Sequence, residues 1–246
     1  MSGIIEIKNL SFSYEKGKTV LDNISLSIDK NTINAILGAN GSGKSTLLDC
    51  LFGINKPSSG TVVVDGKDVD SYTSSEFARK VAYIPQSTAI NIDYTVREFV
   101  MFGRSPYLGL GKAPGDEDYK KCDLYAEKLD ITHLLDKSIT RISGGERQLC
   151  FICRALTQES AILVFDEPLS SLDYGNQNRL LDLFVELQKE GKTVVFTTHN
   201  PIQLIELRCN VVAVHNHRIL AEGMAKKVVT ERLISDIYCA QKQKLV

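Results

Sequence analysis

No stretch of about eighteen apolar residues occurs in the 246-residue chain, so no segment reads as a helix that spans a bilayer. A chain of this kind serves a membrane only through another protein that crosses it. Excess charge is missing too. Lys plus Arg number 29 and Asp plus Glu 30, which leaves no global basic field to hold nucleic acid or anionic lipid. The opening residues, Met1-Ser-Gly-Ile-Ile-Glu6, lack a basic region followed by an apolar stretch, and no secretory leader is expected there. Internal repeats, low-complexity segments and heptad runs are absent, which argues against long coiled coils. Cysteine is present but unpatterned. Six thiols scattered through a chain of this size suit a reducing compartment better than a disulfide framework. Cys150-x-x-Cys153 has no second pair at zinc-ribbon spacing and falls in an expected helix, where both side chains share one face and pack into a core. His215 and His217 have no clear partner ligands and are expected to be structural, at a strand-to-turn junction.

What is present is a core-sized hydrophobic content, 43% of residues, and an alternation of strands with helices. Ile4, Ile5 and Ile7 begin a strand, Val20–Ile28 alternates apolar with polar residues, and Glu15–Lys18 between them reads as a hairpin turn. Ile33–Leu37 is a short apolar run that stops at Gly38, and a helix-forming stretch from Lys44 to Phe52 follows. Further strands are expected at Thr61–Val64, Val81–Ile84, Ala161–Phe165, Thr193–Thr198, Val211–Val214 and Arg218–Leu220. Helices are expected at Ser74–Arg79, at Asn176–Lys189 and at the C-terminus. Residues from Val96 to about Gln158 read mostly as helix, interrupted by a glycine- and proline-rich loop over Ser105–Gly115. The pattern predicts an α/β fold: a mostly parallel sheet with an N-terminal antiparallel β-subdomain and an inserted α-helical subdomain. The expected division is 1–87 with 159–246 for the core and its β-subdomain, and 88–158 for the helical insertion.

Gly38-Ala-Asn-Gly-Ser-Gly-Lys-Ser45 matches G-x-x-x-x-G-K-[ST] at every fixed position and lies between a strand and a helix. Backbone N–H groups of Gly38, Asn40, Gly41, Ser42 and Gly43 can wrap phosphate oxygens, and the helix starting at Lys44, Ser45 and Thr46 adds its unpaired N–H groups and positive dipole end. Lys44 is placed to neutralise the terminal phosphates and the Ser45 hydroxyl to ligate Mg²⁺. Taken alone, this loop leaves kinases, GTPases and many ATPases open. Ile162-Leu-Val-Phe-Asp-Glu167 is an apolar run ending in two carboxylates, the pattern of a buried strand delivering acids to a site. Asp166 would hold the metal's hydration shell and Glu167 polarise an attacking water.

One further segment, Ile142-Ser-Gly-Gly-Glu-Arg-Gln148, resembles the signature of the ABC (ATP-binding cassette) family, with Ile142 where Leu is usual. The resemblance runs from Ile4 to about Gly223. It implies ATP hydrolysis coupled to transport, with ATP and Mg²⁺ bound, and two copies sandwiching nucleotide so that Ser143, Gly144 and Gly145 of one serve the γ phosphate held by the other. By the same resemblance Tyr14 stacks on adenine, and Gln86 is the Q-loop glutamine that contacts Mg²⁺ or water. Ser171-Leu-Asp173 is the D-loop at the dimer interface, and His199 is the switch histidine that contacts the γ phosphate and orients Glu167 and water. Leu169, after Pro168, stands where Thr is common. Thr95–Tyr107, Leu172–Gln177 and Thr197–Pro201 are similar to segments of the branch that imports iron-siderophores, haem, cobalamin and, in some members, molybdate or tungstate. The resemblance implies a chain peripheral to the inner face of the cell membrane. Its partners would be a second copy, a multi-helix permease and, indirectly, a substrate-binding protein, with no nucleic acid. A soluble ABC ATPase serving an iron–sulfur assembly scaffold, or an exporter subunit, would carry the same motifs.

Overall fold

Alternating apolar and polar residues bury one face of β1 (Ile5–Ser13) and β2 (Thr19–Ile28), which pair antiparallel. The computed structural model describes residues 3–15, 17–86, 90, 92–109, 111–170 and 172–238. In it β1 also pairs antiparallel with β4 (Ser59–Val64), and β4 with the two-residue β5 (Lys67–Asp68), in the order β2-β1-β4-β5. A second sheet is built around β3 (Ile33–Leu37), which is buried at every position. Parallel neighbours flank it, β8 (Thr193–Thr198) and β9 (Asn210–His215), and β9 turns back into antiparallel β10 (Arg218–Met224). An apolar run without alternation is what a strand covered on both faces requires.

Two compact units divide the chain, Met1–Tyr72 with Leu181–Val246 and Thr73–Leu180. The two sheets above belong to the first. There, His217 lies in the β9–β10 turn with φ 70°; its carbonyl accepts from Asp22 N–H at 2.8 Å, and Arg218 pairs with the Asp22 carboxylate at 2.5 Å. These contacts tie the end of the second sheet to β2. The expected structural role of His217 follows from this position.

The second unit holds α2 (Ser74–Lys80), β6 (Val81–Ile84), α3 (Val96–Met101), α4 (Asp116–Lys128), α5 (Gly144–Thr157), β7 (Ile162–Phe165) and the start of α6 (Tyr174–Lys189). Strands β6 and β7 pair parallel, Ile84 opposite Phe165. Three of its helices begin at a reciprocal cap: Thr73 with Glu76, Thr95 with Glu98, and Ser143 with Glu146. Cys150 and Cys153 are buried on α5, and desolvation raises the thiols, Cys150 to about 12 and Cys153 well above its ordinary value.

The glycine- and proline-rich stretch expected as loop from Ser105 is partly helical. A 3-10 helix spans Phe102–Tyr107 because Gly103 packs directly on the Arg154 carbonyl, where any Cβ would overlap it. Buried Arg104 then donates to Asp118 Oδ1 at 2.7 Å and to Thr157 O at 3.0 Å. Nothing in local periodicity announces those long-range partners. In the first unit, α7 (Ile202–Leu207) was not expected, being too short to show a period; α8 (Ala225–Val228) and α9 (Glu231–Tyr238) follow β10. Among the described residues no helix is long and apolar enough to cross a membrane.

Candidate functional site

In the first unit the glycine loop leaves the C-terminal end of β3, the strand flanked on both sides by parallel partners. Leu37 lies opposite Thr198 and Ala213, and Gly38 N–H donates to Thr198 O at 3.2 Å. His199, exposed, follows Thr198 directly, so the loop and the histidine emerge side by side from adjacent strand ends. That is where parallel sheets place ligand sites. A Cβ on Gly38 would meet Ser42 Oγ at 2.5 Å and Val214 O at 2.6 Å, so only glycine lets the chain turn there. Gly43 is the N-cap of α1 (Lys44–Leu51) at φ 101°, with no side-chain cap. The first N–H groups of α1 are therefore left to a ligand rather than to a capping side chain.

Lys44 is 5% exposed and donates from Nζ to Gly38 O at 3.0 Å and Ala39 O at 3.2 Å. The ammonium is thus folded along the loop that it would share with phosphate. Ser42 Oγ is buried with no hydrogen-bond partner among the described residues. Asn40, Gly41 and Ser45 are exposed and Thr46 is buried. Tyr14, 62% exposed, places its hydroxyl 3.3 Å from Thr46 Oγ1 and 3.3 Å from Asn55 Nδ2, with its ring edge-on to Phe12. An open aromatic face beside the first turn of α1 suits a base whose phosphates lie in the loop.

In the second unit, β6 and β7 end together, and Asp166 N–H extends the ladder to Ile84 O at 2.8 Å. Register therefore delivers Gln86 and Glu167 to one point, where Gln86 Nε2 donates to Glu167 Oε2 at 3.2 Å. Asp166 is 3% exposed. Glu167 sits at φ 45°, a left-handed conformation that costs a non-glycine residue on the order of 1–2 kcal/mol. Its carbonyl accepts from Ser170 N–H at 3.2 Å and Ser170 Oγ at 2.9 Å, so a tight turn imposes the angle. Leu169, whose identity the sequence leaves unexplained, is buried; its carbonyl accepts from Gln177 Nε2 at 2.9 Å, and Leu172 O accepts from the same nitrogen at 3.0 Å. Gln177 thereby pins the turn that carries Glu167 toward Asp173, a role that the sequence motif alone does not reveal.

Ser143 is the N-cap of α5: its Oγ accepts from Glu146 N–H at 3.3 Å, and Glu146 Oε2 accepts from Ser143 N–H at 2.8 Å. Hydrogen bonding to the carboxylate from the Ser143 hydroxyl first, and from the Ser143 N–H second, lowers the Glu146 carboxyl. Gly144 is exposed, Gly145 half-buried, and a Cβ on Gly144 would meet nothing. Arg147 secures the preceding turn by donating to Ile139 O and Ile142 O. Asp173 caps α6, accepting from Asn176 N–H at 2.9 Å and Asn176 Nδ2 at 2.8 Å, which lowers its carboxyl, the backbone bond most. Ser171, the other polar residue of that loop, lies outside the described residues.

The sequence pattern of the ABC transporter family matches residues 21–170. The ferric enterobactin transport ATP-binding protein FepC of Escherichia coli (strain K12) is 37% identical over 232 residues, covering 94% of this chain and 85% of FepC. The molybdate import ATP-binding protein MolC of Haemophilus influenzae is 32% identical over 239 residues, covering 97% and 89%. A solved structure described as an inward-facing ABC transporter of metal-chelate type superposes with TM-score 0.84 at 31% identity, over 96% of this chain and 89% of that one. With the glycine loop, the paired carboxylates and the Ser143 helix start in place, this chain belongs to the ABC transporter family, as an ATP-binding subunit whose ATPase activity powers transport.

Proposed function

We propose that this chain is the ATPase of an importer for a metal chelate or a molybdate-type oxyanion, working as a pair of identical copies on the inner face of the cell membrane. The observation that carries the reading is the Gln86–Glu167 pair at the joined ends of β6 and β7: a carboxylate held in a strained turn and oriented by an amide suits the positioning of water. FepC is an ATP-binding protein of ferric enterobactin transport and MolC one of molybdate import, at 37% and 32% identity to this chain, which supports cargo being selected by other subunits.

In the proposed reaction, the glycine-loop N–H groups from Gly38 to Gly43 and the start of α1 hold the phosphates, and Lys44 neutralises charge on the β and γ oxygens. Glu167 accepts a hydrogen bond from a water molecule, whose oxygen attacks the γ phosphorus as the bond to the bridging oxygen of ADP breaks. The proton leaves with phosphate. His199 holds a γ oxygen and orients the water, and Tyr14 stacks on the adenine. Ser45, Gln86 and Asp166 offer a hydroxyl, an amide oxygen and a carboxylate, a hard-oxygen set that fits Mg²⁺. When bound, that ion offsets phosphate charge. Ser143, Gly144 and Gly145, with Asp173, face the nucleotide of the second copy. Residues 88–158 form the part that transmits closure to a multi-helix permease, behind which a substrate-binding protein supplies cargo.

Glu167→Gln tests this directly. The variant is expected to keep ATP affinity within about threefold, to lose at least about 100-fold in turnover, and to shift from one copy to two on adding ATP, read by light scattering. Turnover at the parent rate would remove Glu167 from the reaction, and a variant that stays a single copy at saturating ATP would overturn the sandwich.

A further inference from the structure

The C-terminal helix α9 touches the switch histidine. Tyr238, at the end of that helix, donates its hydroxyl to the backbone carbonyl of His199 at 2.5 Å, across 39 residues of sequence. Both residues belong to the first unit. We propose that Tyr238 is a positioning residue for hydrolysis, holding the His199 backbone so that its imidazole presents one orientation to the γ phosphate. The inference rests on the role given to His199 under Proposed function and extends it to a segment that carries no sequence motif.

Three observations support a device rather than a chance contact. First, α9 is anchored independently of Tyr238. Thr230 caps it, with Leu233 N–H donating to Thr230 Oγ1 at 3.2 Å, and Leu233 and Ile237, four residues apart on one face, are 6% and 0% exposed. The tyrosine is therefore presented from a fixed base. Second, the segment after β8 is fastened on either side of the His199 carbonyl. Asn200 N–H donates to Thr198 Oγ1 at 3.0 Å, and Ile202 N–H donates to Asn200 Oδ1 at 3.1 Å. The Asn200 N–H and the His199 carbonyl belong to one peptide plane, so Thr198 Oγ1 holds that plane at its N–H and the Tyr238 hydroxyl holds it at its oxygen. Third, the His199 residue is exposed whereas all of β8 before it is buried. Strand packing therefore stops at Thr198, and the orientation of the histidine depends on bonds made by the loop.

Energetics set the size of the effect. A single neutral hydrogen bond that reaches the reaction only through a backbone plane changes a rate by about three- to tenfold when lost. That is less than the loss of a group acting on the phosphate itself.

Tyr238→Phe removes the hydroxyl and keeps the ring. In the full chain assembled with its permease, kcat for ATP is expected to fall about three- to tenfold, while KM for ATP and the thermal midpoint of the chain stay at parent values. Placed in a His199→Ala background, the same substitution is expected to leave the residual rate unchanged, because the two act in series. An unchanged kcat for Tyr238→Phe, with His199→Ala impaired, overturns the role of Tyr238 alone. A matching fall in the thermal midpoint, or an equal effect in the His199→Ala background, shows a bond that stabilises the fold without orienting the histidine, and also overturns it. His199→Ala at full rate removes the histidine from the proposed reaction and the positioning role with it.

Discussion

In the proposed reaction Lys44 serves two partners, the glycine loop and phosphate. Its ammonium is buried and bonded to the carbonyls of Gly38 and Ala39, so the charge is compensated by the loop that it stabilises. Phosphate oxygens offer stronger, charge-assisted acceptors to the same three donors. A hydrogen bond to a charged group is worth about 1.5–3 kcal/mol, so Lys44→Ala is expected to weaken ATP binding roughly 10- to 100-fold. Titration with a fluorescent ATP analogue checks this, and an affinity within about twofold of the parent would contradict it. Glu167 illustrates the opposite economy. A left-handed backbone at φ 45° is unfavourable for glutamate, yet the turn closed by Ser170 holds it where Gln86 reaches its carboxylate. The resemblance implies an adenine-stacking place for Tyr14; its approach to Thr46 is not legible in the sequence, because 32 residues separate them.

At the scale of elements, the helices of the second unit depend on their first turns. Thr95 and Glu98 cap α3, with Thr95 N–H donating to Glu98 Oε2 at 2.8 Å, and Ser143 with Glu146 does the same for α5. Both carboxyls lie below the usual 4.5: Glu98 chiefly through the Thr95 N–H, Glu146 chiefly through the Ser143 hydroxyl. A depressed carboxyl contributes stability that is complete above its unfolded value and is lost as pH falls through the lower, folded one. Denaturant midpoints are therefore expected to hold from neutral pH to about 4.5 and to decline below it. The double substitution Glu98→Gln and Glu146→Gln keeps a capping acceptor without the charge and is expected to make that decline shallower. An acid limb as steep as the parent's would place the titration elsewhere. Capping boxes are local, spaced three residues apart, and so are visible in sequence. The 3-10 helix at Phe102–Tyr107 was not, because Gly103 and Arg104 are held by partners on α5 and α4 or just beyond α5.

At the scale of the whole molecule, no described helix is long and apolar enough to cross a membrane. Gentle purification of the tagged chain from its own cells is expected to bring down a multi-helix permease in equal copy number, counted by quantitative mass spectrometry. Recovery with soluble partners alone would favour the assembly-scaffold reading of the same motifs. Contiguous chemistry was decided by the sequence itself. The glycine loop between β3 and α1, the two carboxylates ending β7, and the serine-glycine start of α5 each lie within a few residues, where backbone conformation and local hydrogen bonding set the outcome. Tertiary structure alone decided which of these meet. Gln86 reaches Glu167 because β6 and β7 pair in register, Gly38 lies beside the strand leading to His199 because β3 pairs with β8, and Tyr238 reaches His199 because α9 is anchored by Leu233 and Ile237. Strand register and helix docking are fixed by burial summed over whole elements, and no short stretch of sequence contains that sum.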